Sequence, residues 1–231
     1  MASVLHELCR MWFACTLIIS VVTITVATHC IALLSVLKLI SRERQEDLSV
    51  CTGVICFKLM LLANPQIRRL YEVDWNAAAD ETSALIFMNH TSFFDFILFT
   101  GSLPLGLVWR RHIRTVISAS NAKIPGFGSS MGDHSGAFKV FFSGKGHGFG
   151  KGDPNDFRVD RDRQEAETQR MEAHIQIGGF IAMCPEGRRN REPPKIKPFR
   201  RGSVALAIKF ATPIWGVAMS NLYKCWPMEC K

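Results

Sequence analysis

The segment Asn89-His90-Thr91-Ser92-Phe93-Phe94-Asp95 sets an imidazole and a carboxylate five residues apart. A histidine with one ring nitrogen held by a carboxylate offers the other, unprotonated, to a hydroxyl, which is what general-base catalysis requires. On a regular helix five positions turn through about 500°, leaving the two side chains roughly 140° apart. They meet only if His90 lies in a loop before a helix and Asp95 in its first turn. Ser92 supplies that signal, because Ser92-x-x-Asp95 has the spacing of a capping box. Spacing alone suits a capping carboxylate and an uninvolved loop histidine better. Asn89-His90-Thr91 also fits the N-glycosylation pattern, which needs lumenal exposure.

A second segment, Cys184-Pro-Glu-Gly-Arg-Arg-Asn190, follows a strand-like run. A tight Pro-Glu-Gly turn there projects Arg188 and Arg189 together, and paired guanidinium groups suit a phosphate. Lys195, Lys197, Arg200 and Arg201 extend the basic stretch, and the whole chain has a formal net charge of +8. That charge fits nucleic acid, an anionic membrane or a phosphorylated small molecule. No nucleic-acid module accompanies it. The glycine-rich stretch 143–152 lacks the order of a phosphate-binding loop, and no H-E-x-x-H cluster suggests a metal. The eight cysteines form no C-x-x-C pair and read as free thiols of a reducing compartment.

The elements that must position these residues read as α/β. Apolar runs over 84–88, 113–118, 137–142, 180–184 and 213–219 have strand length. Helical patterns over 93–99, 160–177 and 202–210 lie between them. This alternation predicts a mostly parallel sheet flanked by helices.

Upstream, no Asp, Glu, Lys or Arg stands between Arg10 and Lys38. As a helix that run reaches about 40 Å, enough to cross a bilayer core of about 30 Å. It is too long for a cleaved signal peptide, so a membrane-anchoring helix is predicted. Lys38, Arg42 and Arg44 follow it and place the main domain in the cytosol. The neighbouring Glu43, Glu46 and Asp47 weigh little in that rule. Leu48–Ala63, interrupted by Lys58, reads as an interfacial helix, with a second span as the alternative. The division expected is an anchor over 1–65 and a catalytic domain over 66–231.

Taken together, the two motifs resemble those of the glycerolipid acyltransferase family, lysophosphatidic acid acyltransferases above all. Asn89, His90 and Asp95 match its Asn-His-x4-Asp block, and Pro185, Glu186, Gly187 and Arg189 its Pro-Glu-Gly-x-Arg block, with Cys184 and Arg188 as departures. Lys197-Pro-Phe-Arg-Arg-Gly202 and Thr212-Pro-Ile214 resemble later blocks, so the likeness spans about 84–221. It implies transfer of a fatty acyl group from acyl-CoA, as co-substrate with no bound cofactor, to the free hydroxyl of lysophosphatidic acid, giving phosphatidic acid for phospholipid biosynthesis at a membrane such as the endoplasmic reticulum. It implies His90 as general base and Asp95 as its orienting partner. Glu186, Gly187, Arg188 and Arg189 then hold the acceptor's phosphate. The block between the two closes on an arginine that this chain lacks near Phe141, and Lys139 or Lys145 stands in for it. Another lysophospholipid or glycerol 3-phosphate as acceptor, or a non-catalytic lipid-binding role, is the alternative.

Overall fold

The computed structural model describes residues 2–67, 74–124, 126, 128–142, 159–190, 192 and 195–222; Lys145 and the glycine-rich stretch lie outside them. The helices are α1 (Ala2–Val36), α2 (Arg42–Leu62), α3 (Trp75–Ala79), α4 (Phe94–Ser102), α5 (Leu105–Arg111), α6 (Arg161–Gln176) and α7 (Arg201–Phe210). The strands are β1 (Ala84–Met88), β2 (Arg114–Ser118), β3 (Phe138–Val140), β4 (Phe180–Met183) and β5 (Ile214–Val217). They form one parallel sheet in the order β3-β2-β4-β1-β5. The predicted α/β class, with helices on a parallel sheet, is therefore the one observed. Helix α5 was not anticipated.

Central strands covered on both faces read as unbroken apolar runs, and β1 is buried at all five positions. Its side chains alternate between two cores, as the strand period requires. Ala84, Ile86 and Met88 pack with Phe57 and Leu61 of α2, Phe94 and Phe99 of α4, and Val108 of α5. Leu85 and Phe87 face the opposite way, toward Ile175 of α6 and Leu206 and Ala207 of α7. Helices α2 and α4 approach closely at Gly101, where a Cβ would lie 2.8 Å from Leu61 Cδ1 and 3.3 Å from the backbone nitrogen of Lys58.

Helix α2 covers the second apolar stretch and starts earlier than that stretch. Its inner face, including Val54, Phe57 and Leu61, is buried, whereas Ile55, Leu59 and Leu62 are exposed. Of the three acidic residues at its start, Glu46 and Asp47 form ion pairs with Arg114 at the beginning of β2, and Glu43 and Asp47 contact His112 just before it. The Arg114 guanidinium donates from Nη2 to Asp47 Oδ1 at 2.8 Å and from Nε to Glu46 Oε2 at 3.3 Å. His112 Nδ1 lies 2.8 Å from Asp47 Oδ2, and its Nε2 lies 3.4 Å from Glu43 Oε1.

Over Val4–Val36, α1 is long and apolar enough to cross a membrane, with a mean hydropathy of 2.3 in its most apolar window. One stripe, Thr16, Ser20, Ile24 and Thr28, is buried at a four-residue spacing that keeps one helix face inward. Asn64 Nδ2 donates to Thr16 Oγ1 at 2.8 Å, and Trp12 Nε1 donates to the Ala63 carbonyl at 2.7 Å. The Phe13 ring lies 5.8 Å from that of Phe94 in α4. The other faces, with Leu8, Ile19, Val22, Val26 and Leu33, are exposed.

On α6, His174 is packed with its ring 5.5 Å from Phe138, and a Cβ on Gly179 would fall 2.2 Å from its Nε2. Burial, with the nearby Arg114 charge, depresses its pKa from 6.5 to about 4. Below pH 6.5 the unfolded chain therefore binds the proton more readily than the native one. This contribution to stability is complete above pH 6.5 and is lost as pH falls toward 4. The loss is at most about 3 kcal/mol. Unfolding measured between pH 7 and 4 should show a smaller acid loss for His174→Phe than for the parent. Parallel curves would refute the assignment.

Candidate active site

The topology fixes where a site can form. From β1 the chain leaves toward β2, passing over β4; from β4 it leaves toward β5, passing over β1. The two connections run on opposite faces of the sheet, α4 on one and α7 on the other, so a crevice opens between them beyond the carboxyl ends of these adjacent strands, the usual ligand position in an open α/β sheet. Both motifs stand there: Asn89–Phe93 follows β1 and Cys184–Asn190 follows β4.

Asn89 extends the sheet by one rung with its side chain. Its Nδ2 donates to the Met219 carbonyl and its Oδ1 accepts from the Met219 amide, each at 2.7 Å. The amide thus imitates a peptide group and fixes the point where the chain turns out of β1. His90 comes next, in the loop, and Asp95 lies in the first turn of α4, as the spacing requires. Asp95 Oδ2 stands 3.1 Å from His90 Nδ1 and accepts from the Ser92 amide at 2.9 Å and from the Thr91 amide. Ser92 Oγ in turn accepts from the Phe94 amide at 3.1 Å. Capping and histidine orientation are therefore one arrangement, built on the same oxygen.

The Asp95 side chain is 1% exposed and that of His90 27%. With Nδ1 donating to Asp95, the tautomer that fits places the lone pair on Nε2, the nitrogen able to accept a proton. A carboxylate held by two backbone amides cannot swing away from the ring, so the imidazole is pre-oriented before any substrate arrives.

The β4 loop closes over this pair. Gly187 takes φ +73°, a conformation that favours glycine, and its amide donates to the Cys184 carbonyl at 3.0 Å. Glu186 is buried, and its Oε2 accepts from the Lys197 amide at 3.1 Å, so its carboxylate shapes the loop. Arg188 is half-buried. The Arg189 guanidinium stacks over Phe93, 4.3 Å from the ring centroid, which brings the second motif onto the first. Asn190, which the sequence did not single out, ties the two loops. Its amide donates to the His90 carbonyl at 2.5 Å, and its Oδ1 accepts from the Glu192 amide at 2.9 Å. The only sequence signal for it is a polar residue next to an arginine pair, which is no signal at all without the fold.

His90, Asp95, Glu186, Gly187, Arg188 and Arg189 thus lie on two touching segments, the loop and first helical turn after β1 and the loop after β4. Lys139 does not join them. It lies on edge strand β3, three strand spacings or roughly 14 Å from β1, and its Nζ contacts Asp133 Oδ1 at 2.5 Å. Cys184, at the end of β4, has its thiol pKa pushed up to about 12, first by burial and then by the charges of Asp95 and Glu186. Among the described residues no group of three or more His, Cys, Asp or Glu side chains could hold a metal ion.

A family model described as Acyltransferase covers residues 68–220, more than half of the chain and both loops. No curated protein and no solved structure matches the chain.

Proposed function

Because this chain belongs to the acyltransferase family, we propose that it transfers a fatty acyl group from acyl-CoA to the free hydroxyl of lysophosphatidic acid, giving phosphatidic acid. The observation that carries this reading is the contact of His90 Nδ1 with a buried, doubly anchored Asp95. In the reaction, Nε2 of His90 takes the proton from the acceptor hydroxyl as its oxygen bonds to the thioester carbonyl carbon. The tetrahedral intermediate collapses with cleavage of the carbon–sulfur bond, and the proton on Nε2 goes to the departing sulfur of coenzyme A. Asp95 keeps the ring in place and offsets the imidazolium charge that forms between the two steps. Arg189, with Arg188, supplies positive charge for the acceptor's phosphate.

Transfer is direct, with no acyl-enzyme. Cys184 is the nearby candidate for a covalent route, but a thiol with a pKa near 12 holds its proton at neutral pH. We place the protein at a membrane, that of the endoplasmic reticulum with the site on the cytosolic side. The long apolar α1 and the basic residues after it support this placement. Membranes carrying the protein, supplied with labelled acyl-CoA and lysophosphatidic acid, should yield labelled phosphatidic acid. Cys184→Ala should retain most of that activity, and its complete loss would replace direct transfer by a covalent route. Lys139, held on Asp133 away from the site, gives reason to run other lysophospholipids and glycerol 3-phosphate in parallel. A product formed only from one of these would reassign the acceptor.

A further inference from the structure

The rim of the crevice carries an exposed segment that the transfer reaction leaves unused. Residues Lys195-Ile-Lys-Pro-Phe-Arg-Arg201 alternate cations with large apolar groups. Ile196 is 71% exposed and Phe199 50%. Two bonds pin the segment beside the site: the Lys197 amide to Glu186 Oε2 at 3.1 Å, and the Arg200 amide to the Pro185 carbonyl at 2.8 Å. The Phe199 ring also rests edge-on against Phe87 of β1, 6.0 Å between centroids. The segment therefore holds its outward shape.

An aqueous loop gains nothing by presenting isoleucine and phenylalanine to water. Apolar side chains set among lysines and arginines suit the boundary between acyl chains and anionic headgroups, where the apolar groups insert and the cations stay at headgroup level. The position agrees. On the opposite flank of the same crevice, Phe13 of α1 contacts Phe94, and the neighbouring Leu8, Met11 and Trp12 are exposed. Exposed apolar groups thus stand on both sides of the mouth.

We propose that residues 195–201 form a second bilayer contact, distinct from α1, which seats the mouth of the crevice on an anionic membrane surface. The inference rests on the membrane reading above and adds to it a face and an orientation. A lipid acceptor then reaches His90 from the bilayer without crossing water.

The test uses the full chain reconstituted with vesicles of phosphatidylcholine, with or without phosphatidylserine. A photoreactive benzoylphenylalanine is placed singly at position 196, at 19 in α1, or at 165 in α6, and lipid adducts are counted after illumination. Expected are adducts at 19 and 196 and none at 165, with labelling at 196 increased by phosphatidylserine. Lys195→Ala and Lys197→Ala should each lower the yield at 196 by about fivefold and leave that at 19 unchanged. Adducts at 19 without adducts at 196 overturn the second contact and leave the membrane reading intact. Labelling at 196 indifferent to phosphatidylserine and to both lysines also overturns it. No adducts at any position, with a protein that does not float with vesicles, sink both.

Discussion

His90→Ala is expected to lower kcat by about 10²–10⁴-fold, the usual worth of a positioned general base, with little change in stability. The asymmetry follows from which atoms hold the loop. The bonds that define its shape run from Asp95 Oδ2 to the Thr91 and Ser92 amides, from Asn89 to Met219, and from the Asn190 amide to the His90 carbonyl. All of them survive truncation of the imidazole, because residue 90 contributes only its backbone to them. The substitution removes the proton acceptor and leaves the crevice. Substrate affinity should accordingly change less than turnover, so the loss should appear in kcat and equally in kcat/KM. The measurement is steady-state acyl transfer by parent and variant, alongside thermal unfolding of the same preparations. Equal turnover would reduce His90 to a bystander and favour a lipid-binding role for the chain.

The largest effect on stability is expected at Arg114, far from the chemistry. Its side chain is 3% exposed and pairs with Glu46 and Asp47 of α2. Arg114→Met leaves the Asp47 carboxylate, itself 5% exposed, with His112 as its one remaining partner among the described residues. Removing one member of a buried pair typically costs about 3–5 kcal/mol, because the charge left behind has lost its compensation. That is a large share of the 5–15 kcal/mol that a domain of ordinary size possesses. Replacing both partners removes the stranded charge, so Arg114→Met with Asp47→Leu should recover much of the loss. Denaturant unfolding of the parent, the two single variants and the double variant checks this. A single variant as stable as the parent would show that the pair does not hold α2 to the sheet.

These two residues differ in how far the sequence revealed them. His90 and Asp95 were legible because their partnership is local: a loop, a serine and the first turn of a helix decide it within seven residues. Likewise β1 and β4 announced themselves as continuous apolar runs, since a central parallel strand is covered on both faces. The Arg114 cluster was not legible. Glu46 and Asp47 read as flanking charges beside an apolar helix, and only the packing of α2 against the start of β2 gives them a partner across more than sixty residues. Helix α5 escaped for a related reason. It is seven residues long, with Leu107 and Val108 buried, too short for a helical period to stand out. Lys139 is the instructive case among the candidate residues. Its distance from the motif in sequence carried no information about which strand would lie beside β1, and the sheet order puts β4 there.

The double duty of Asp95 bears on how such chains age. On the mechanism proposed above, a copy that abandons catalysis has no further use for the imidazole, yet it still needs the oxygen that accepts from the Thr91 and Ser92 amides. Drift should therefore erase the histidine first and keep the aspartate long after activity has gone. Under that mechanism, an aspartate at this place marks a folded descendant, and the histidine a working one.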